Sequence, residues 1–156
     1  MKIVAAIPAR LNSSRLPKKL LREICGKTLI ARTYEATVNS KIFDDVLVIT
    51  NSSEIIAELE SSKVKYIFDD ENYQTGTDRI AGVASKIEAD IIINVQGDEP
   101  FINSNTIESI LNTFKHDKEN NIKIVSVMTP IKDEQELKNP NNVKVFTDVS
   151  LSLIHI

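Results

Sequence analysis

With 156 residues, the chain can form a compact α/β domain with a hydrophobic core, and its 42% hydrophobic and 26% charged residues are typical of soluble globular proteins. The formal net charge of −3 argues against nucleic-acid and membrane partners, and no apolar run approaches the ~18 residues of a membrane span. The only cysteine, Cys25, excludes an internal disulfide and predicts a reducing, cytoplasmic location.

Apolar, β-branched runs alternate with helical patterns along the chain. Strands are predicted at Ile3–Ile7, Val46–Thr50, Val64–Phe68, Ile91–Val95, Ile124–Met128 and Val143–Phe146. Helices are predicted from a cap at Thr28 to about Ser40, from Ser53 to near Ser61, from Thr77 to about Ile87, and from Ser104 to about Lys115. This alternation predicts an α/β fold with a doubly wound, mostly parallel sheet, in which ligands bind beyond the C-terminal ends of the strands.

Cations cluster in the loop that follows the first predicted strand. Its charged and hydroxyl side chains are Arg10, Ser13, Ser14, Arg15, Lys18 and Lys19. Arginine forks match phosphate oxygens, and small side chains let backbone N–H groups approach an anion. The loop therefore predicts a triphosphate cradle, while composition alone leaves a solvated basic loop as the alternative.

Two familiar phosphate-binding motifs are excluded. No Gly-x-Gly-x-x-Gly follows the first strand, which argues against a dinucleotide-binding dehydrogenase. The tripeptide Gly26-Lys27-Thr28 resembles the end of a Walker A loop, but Leu21 stands where that motif requires its first glycine.

An acidic turn follows the predicted strand Ile91–Val95. Asp98 and Glu99 should lie at the same edge of the sheet as the basic loop, where a carboxylate can bind Mg²⁺ together with phosphate oxygens. The amide of Gln96 can hydrogen-bond a base or a sugar. The turn therefore predicts a joint nucleotide–metal site, and acidic residues chosen for turn propensity are the alternative.

A further candidate is Arg79, in the first turn of the helix that Thr77 is predicted to cap. A cation there opposes the helix dipole, so its placement calls for a partner. That partner is either a ligand at the helix N-terminus or an ion-paired carboxylate, Asp78 or Glu99.

Taken in order, the motifs resemble those of a known family. They are Pro8-Ala9-Arg10, Ser13, Arg15-Leu16-Pro17, Lys19, Gly26-Lys27, Gly76-Thr77-Asp78-Arg79, Val95-Gln96-Gly97-Asp98-Glu99-Pro100 and Asn139-Pro140-Asn141 before Val143-Lys144-Val145. From residue 2 to about 148, the chain is similar to the 3-deoxy-manno-octulosonate (KDO) cytidylyltransferases, or CMP-KDO synthetases. It departs from the family pattern at Lys18, where glycine is usual, and at Thr50-Asn51-Ser52, where a more acidic stretch is common.

The resemblance implies a fold of the nucleotide-diphospho-sugar transferase type and a reaction that moves CMP from CTP to KDO, releasing pyrophosphate, in lipopolysaccharide biosynthesis. It implies Mg²⁺ as cofactor, with Asp98 as a metal ligand, and Arg10, Lys19 and Asp98 as the catalytic groups. The nucleotide-binding residues that it implies are Pro8, Ala9, Arg10, Ser13, Arg15, Lys19, Arg79 and Gln96. The full-length form is expected to be a homodimer.

Family members continue well beyond this chain, so residues 1–148 are interpreted as an incomplete nucleotide-binding domain. The sugar-binding and dimerisation part, with a second metal-binding carboxylate, is expected to be missing. Residues 149–156 are interpreted as an artefactual tail, because a common transposase library adapter encodes the last six residues; a short apolar strand is the alternative. A non-catalytic nucleotide-binding fragment, or an enzyme for amino-KDO or a sialic-acid-like sugar, also stays open.

Overall fold

A computed structural model describes residues 1–13 and 16–155 of the chain, with side chains up to residue 152. The strands are β1 (Ile3–Ala9), β2 (Glu23–Ile24), β3 (Lys27–Thr28), β4 (Asp45–Thr50), β5 (Tyr66–Phe68), β6 (Ile91–Asn94), β7 (Phe146–Thr147) and β8 (Leu153–His155). The α-helices are α1 (Leu29–Asn39), α2 (Ser53–Ser61), α3 (Gly76–Val83), α4 (Ser104–His116) and α5 (Glu134–Lys138), and short 3₁₀ turns cover Lys19–Leu21 and Ala84–Lys86. The chain forms two compact units, Met1–Ile107 and Glu108–Ile156.

The first unit is built on a parallel sheet with the strand order β5-β4-β1-β6. The chain proceeds from β1 to β4 and β5 on one side, then crosses to the other side of β1 to form β6. The strand order therefore reverses between β1 and β6, and the crevice beyond their C-terminal ends is where doubly wound sheets bind ligands. The predicted α/β class and the mostly parallel sheet are confirmed.

The core explains why the strand sequences are almost wholly apolar. Strand β1 is buried along nearly its whole length, as a central strand covered on both faces must be. One face packs on α3 and the turn after it, through Val4, Ala6, Leu47, Ile49, Ile80, Val83 and Ile87. Helix α1 contacts β1 and β4 but contributes nothing to that cluster, so it covers the opposite face.

Hydroxyl side chains cap the N-termini of the first helices. Thr28 accepts a hydrogen bond from Ala31 N at the start of α1, as predicted, and Ser52 accepts one from Ile55 N at the start of α2. Helix α3 begins with a capping box between Thr75 and Asp78, so the predicted cap at Thr77 was wrong by two positions. Thr75 is the better cap because Asp78, three residues after it, donates its backbone N–H to the Thr75 hydroxyl and accepts with its carboxylate from the Thr75 N–H.

The second unit differs most from the prediction. Residues 124–128 form no strand, and Ile124 is 87% exposed; the β-branched pattern was misleading because a strand also needs a neighbour to complete its hydrogen-bond ladder. The predicted strand Val143–Phe146 shrinks to Phe146–Thr147, which pairs antiparallel with Leu153–His155. None of the helices among residues 1–13 and 16–155 is long and apolar enough to cross a membrane.

Candidate functional site

The crevice between β1 and β6 holds a cavity of about 170 Å³. One wall follows β1, the other follows β6, and the floor comes from the 3₁₀ turn at Lys19–Leu21. The lining residues are Pro8, Arg10, Asn12, Ser13, Lys19, Leu20, Gln96, Gly97 and Asp98. The basic loop and the acidic turn, which lie far apart in the sequence, therefore meet around one hollow.

The end of β1 delivers Arg10 to this cavity from a rigid base. Pro8 and Ala9 are buried, whereas Arg10 is exposed. The Arg10 guanidinium donates from Nη1 to the carbonyl oxygen of Gln74 at 3.4 Å, a long hydrogen bond. Within residues 1–13 and 16–152 its other donors have no partner and can bind an anion. The segment just before α3 therefore lies beside the cavity.

The turn after β6 is fixed by its glycine. The Gly97 carbonyl accepts a 2.9 Å hydrogen bond from the buried Thr33 hydroxyl of α1. A Cβ added to Gly97 would lie 3.2 Å from the Pro8 carbonyl oxygen and 3.3 Å from Leu20 Cδ1. A side chain at this position would press on both neighbours, so the glycine favours the close approach of the two strand ends that sets Asp98 at the cavity rim.

Within the cavity, the Lys19 ammonium forms an ion pair with the Asp98 carboxylate. Both side chains are partly exposed, 37% for Lys19 and 39% for Asp98. The neighbouring Lys18 takes a different direction: it pairs with Glu54 at the start of α2 and is not among the cavity-lining residues. Of the two adjacent lysines, the structure brings only Lys19 to the site.

The side chain of Arg79 lies beside the site, on α3. It is 4% exposed, and its Nη1 has no hydrogen-bond partner among the described residues. Its guanidinium lies over the ring of Tyr73, 5.4 Å from the centroid. Neither Asp78 nor Glu99 forms an ion pair with it among residues 1–13 and 16–152, since the Asp78 carboxylate is used in the capping box.

Burial lowers the pKa of Arg79 from its ordinary value. Asp69 and Tyr73 oppose this shift, whereas the charge of Arg10 adds to it. The phenol of Tyr73 in turn donates a 2.7 Å hydrogen bond to Asp69 Oδ2, which together with burial raises the pKa of Tyr73. A desolvated arginine with an unused donor, close enough to feel Arg10, is well suited to an anionic or carbonyl ligand.

Some of these features escaped the sequence-based reasoning. Asn12, Leu20 and Gly97 line the cavity without having been proposed as binding residues. Asn94 links β6 to α3: its Oδ1 accepts from Gln96 Nε2 at 3.2 Å, and its Nδ2 donates to the Thr77 hydroxyl at 3.3 Å. Asn94 ends β6 and Gln96 follows two residues later, a spacing that could have suggested that both side chains lie on the same side of the chain.

The other predicted site residues differ in position. Ala9 is buried in β1 and does not line the cavity, nor does Arg79. Arg15 and Ser14 lie outside the described residues. The Walker-like Gly26-Lys27-Thr28 belongs to the hairpin of β2 and β3, where Cys25 and Gly26 adopt positive φ values of 50° and 76°, and no phosphate loop forms there.

The donor set can be tested for its fit to a divalent cation. Among residues 1–13 and 16–152, no group of three His, Cys, Asp or Glu side chains is arranged to hold a metal ion. Asp98 is the carboxylate that lines the cavity. One carboxylate is enough for Mg²⁺ when substrate phosphates and water supply the other ligands, so the residues fit a metal that arrives with a nucleotide.

Comparison with known proteins identifies the family. A family model described as cytidylyltransferase matches residues 4–152. The chain is 47% identical over 150 residues to a 3-deoxy-manno-octulosonate cytidylyltransferase from Flavobacterium johnsoniae, covering 96% of this chain and 62% of that protein. It is 45% identical to the protein of the same name from Christiangramia forsetii, covering 94% of this chain and 59% of that protein.

A solved structure agrees with these relatives. A CMP:2-keto-3-deoxy-manno-octonic acid synthetase complexed with CTP superposes with a TM-score of 0.70 at 38% identity, covering 75% of this chain and 48% of the other. The chain thus spans about three fifths of the length of the curated relatives that it matches. Since the family model covers nearly all of its residues, the chain belongs to the cytidylyltransferase family.

Proposed function

We propose that this chain is the nucleotide-binding part of an enzyme that transfers CMP from CTP to KDO and releases pyrophosphate. The observation that carries the proposal is the meeting of Arg10, Lys19, Gln96 and Asp98 around one cavity at the point where the strand order reverses. The names of the 47% and 45% identical relatives support the same reaction. Lipopolysaccharide biosynthesis and a cytoplasmic location follow as parts of the proposal.

In this proposal Arg10, Lys19 and the Ser13 hydroxyl hold the triphosphate, because they supply positive charge and hydrogen-bond donors around the cavity. Pro8 and Ala9 form a firm backing for the nucleotide, and Gln96 hydrogen-bonds at the junction of nucleotide and sugar. Arg79 offers its free donor to the nucleotide from α3. Arg15 is proposed as a further phosphate ligand from the family motif alone.

The reaction requires an oxygen nucleophile and a leaving group in line. The anomeric hydroxyl oxygen of KDO attacks the α-phosphorus of CTP and gives up its proton to water. The bond from the α-phosphorus to the oxygen that bridges to the β-phosphorus breaks, and pyrophosphate leaves. The protein contributes chiefly by positioning and by neutralising charge, without a covalent intermediate. When bound through Asp98, Mg²⁺ would supply further charge neutralisation on the phosphate oxygens.

Because the chain spans only part of its relatives, a nucleotide-binding piece without turnover is the second candidate for these 156 residues taken alone. The sugar acid is proposed as KDO from the relatives' names, with amino-KDO and sialic-acid-like sugars as the other acceptors to compare. A homodimer of the full-length form stays part of the proposal.

Thermal unfolding of the purified chain with CTP and Mg²⁺ tests nucleotide binding. At a CTP concentration about 100 times Kd, binding should stabilise the folded state by about 2.7 kcal/mol. UTP at the same concentration serves as the comparison nucleotide.

Arg10→Ala should weaken CTP binding by about 1.5–3 kcal/mol, because a charge-assisted contact is lost. Arg22→Ala, which removes an exposed arginine outside the cavity, is the matched control.

Pyrophosphate release in the presence of CTP, Mg²⁺ and KDO then separates the two candidates. Turnover supports the enzyme, whereas CTP binding without turnover supports the nucleotide-binding piece. If CTP with Mg²⁺ produces no stabilisation in a folded chain, both candidates are wrong.

A further inference from the structure

The Lys19–Asp98 ion pair joins two groups that bind ligands of opposite charge in the proposed function. Lys19 is to bind phosphate, and Asp98 is to bind a metal ion, yet here each neutralises the other across the cavity. The pair connects segments 79 positions apart in the sequence, so the fold itself brings these charges together.

The backbone on both sides of the pair is anchored. Next to Lys19, Leu20 is buried, and the backbone carbonyl of Lys18 accepts a 2.9 Å hydrogen bond from Leu21 N. On the other side, the carbonyl of Gly97 is held by the buried Thr33 hydroxyl. The side chains of Lys19 and Asp98 remain partly exposed, so the pair can exchange partners by side-chain rotation while the main chain stays in place.

The charges in the cavity make the opening of the Lys19–Asp98 pair depend on whether a divalent cation is bound. A partly exposed ion pair contributes little net stability, so opening it is cheap. A triphosphate that enters without a metal, however, meets a lysine already neutralised and a carboxylate of its own sign. A divalent cation on Asp98 removes that repulsion and leaves the ammonium free for the phosphate.

We propose that Asp98 acts as a gate on Lys19: it holds the lysine and disfavours metal-free polyphosphate, and it releases the lysine when a divalent cation occupies the carboxylate. The gate makes metal and polyphosphate bind cooperatively, since each favours the arrangement that the other needs. It rests on the proposed function in assigning the site to a nucleoside triphosphate.

Binding of inorganic tripolyphosphate to the purified chain tests the gate directly, in EDTA at low ionic strength. Asp98→Asn should raise the affinity roughly tenfold, because removing one negative charge beside a polyanion both ends the repulsion and frees Lys19. Asp98→Glu keeps the charge and should give no gain. The matched control is Glu99→Gln, which removes the adjacent exposed carboxylate outside the cavity and should change the affinity less than about twofold.

A double-mutant cycle with Lys19→Ala isolates the part that acts through the lysine. In that background the gain from Asp98→Asn should be clearly smaller, since only direct repulsion is left to remove. Equal gains in the two backgrounds, or no gain in the parent background, would overturn the gate. Asp98→Ser removes the same charge and replaces Asp98→Asn if circular dichroism shows that the asparagine variant is unfolded.

The same variants separate the gate from the proposed function. In the presence of Mg²⁺, the Asp98→Asn variant should bind CTP more weakly than the parent does. This change in affinity is opposite in sign to the gain expected for tripolyphosphate without metal. If the parent does not bind CTP with Mg²⁺ but the tripolyphosphate gain persists, the nucleotide assignment is wrong and the gate stands. If the parent binds CTP with Mg²⁺ and no metal-free gain occurs, the gate is wrong and the nucleotide assignment stands.

Discussion

Pro8 shows how single residues position this site. The buried proline is approached closely by two glycines, one from each neighbouring segment. A Cβ on Gly76 would lie 2.9 Å from Pro8 Cγ, and a Cβ on Gly97 would lie 3.2 Å from the Pro8 carbonyl oxygen. The start of α3 can therefore approach the end of β1 this closely only because Gly76 lacks a side chain, and the absence of one at Gly97 eases the approach of the turn after β6. The contact between Gly97 and Pro8 thus helps to set the spacing of the two cavity walls.

Gly82 likewise leaves room for a neighbouring side chain, the Tyr73 ring that lies against Arg79. A Cβ there would lie 2.0 Å from the hydroxyl oxygen of Tyr73, so Gly82→Ala should expel the ring from beneath the guanidinium. We expect a loss of stability of about 1–2 kcal/mol, because the cation–π contact and the hydrogen bond to Asp69 are lost together. Urea unfolding of the variant measures this loss.

The control for the Gly82→Ala prediction is the same substitution in a variant without the Tyr73 ring, where the change in stability should have the opposite sign. In a Tyr73→Ala background the space is vacant, so Gly82→Ala should instead stabilise the chain by about 0.5–1 kcal/mol through helix propensity. A destabilisation of equal size in both backgrounds would show that the contact with Tyr73 is not the cause.

At the scale of elements, the end of α2 shows a backbone conformation that the sequence did not reveal. Helix α2 ends in a Schellman motif, with Val64 N bonded to Leu59 O at 2.8 Å and Lys63 N bonded to Glu60 O at 3.1 Å. The motif places Lys63 at φ 53°, a left-handed position that normally favours glycine. The sequence placed the end of this helix near Ser61, but a lysine at position 63 gave no sign of the left-handed turn that ends it.

Lys63→Gly should therefore stabilise the chain by about 0.5–1 kcal/mol, since removing the left-handed strain outweighs the added entropy of the unfolded state. Chemical denaturation measures the change. Ala57→Gly, at an exposed position inside the same helix, should cost about 1 kcal/mol. A loss of stability in Lys63→Gly would contradict the strain argument.

The sequence predicted best those features that depend on local pattern. Helix α2 and strand β4 match their predicted ranges to within a residue, because caps and buried β-branched runs are local signals. The strand expected at Ile124–Met128 failed, since strand pairing depends on partners that no local pattern specifies. Likewise, the loop and the turn could be assigned to one edge of the sheet, but the pairing of Lys19 with Asp98 needed the fold.

At the scale of the whole chain, the two units differ in how far their apolar side chains are buried. In Met1–Ile107, residues such as Ile7, Ile49 and Ile55 are completely buried. In Glu108–Ile156, Ile124, Val127, Met128, Ile131 and Val143 are exposed by about half or more. Since stability follows buried apolar area and protected hydrogen bonds, the two units should open with different free energies.

Hydrogen–deuterium exchange resolves this difference along the chain. Amides of β1 and β4 should exchange only through global unfolding, because the strands are paired and buried. Amides of residues 122–131, apart from that of Ile122, which donates to Asp117, should exchange within seconds. CTP with Mg²⁺ should slow exchange around Pro8–Ser13 and Gln96–Asp98, whose residues line the cavity, and leave residues 122–131 unchanged. Slow exchange across residues 122–131 in the free chain would mean that hydrogen bonds or burial protect those amides, against this prediction. Equal slowing of exchange at all amides on adding CTP would mean that the nucleotide raises global stability without protecting the cavity residues in particular.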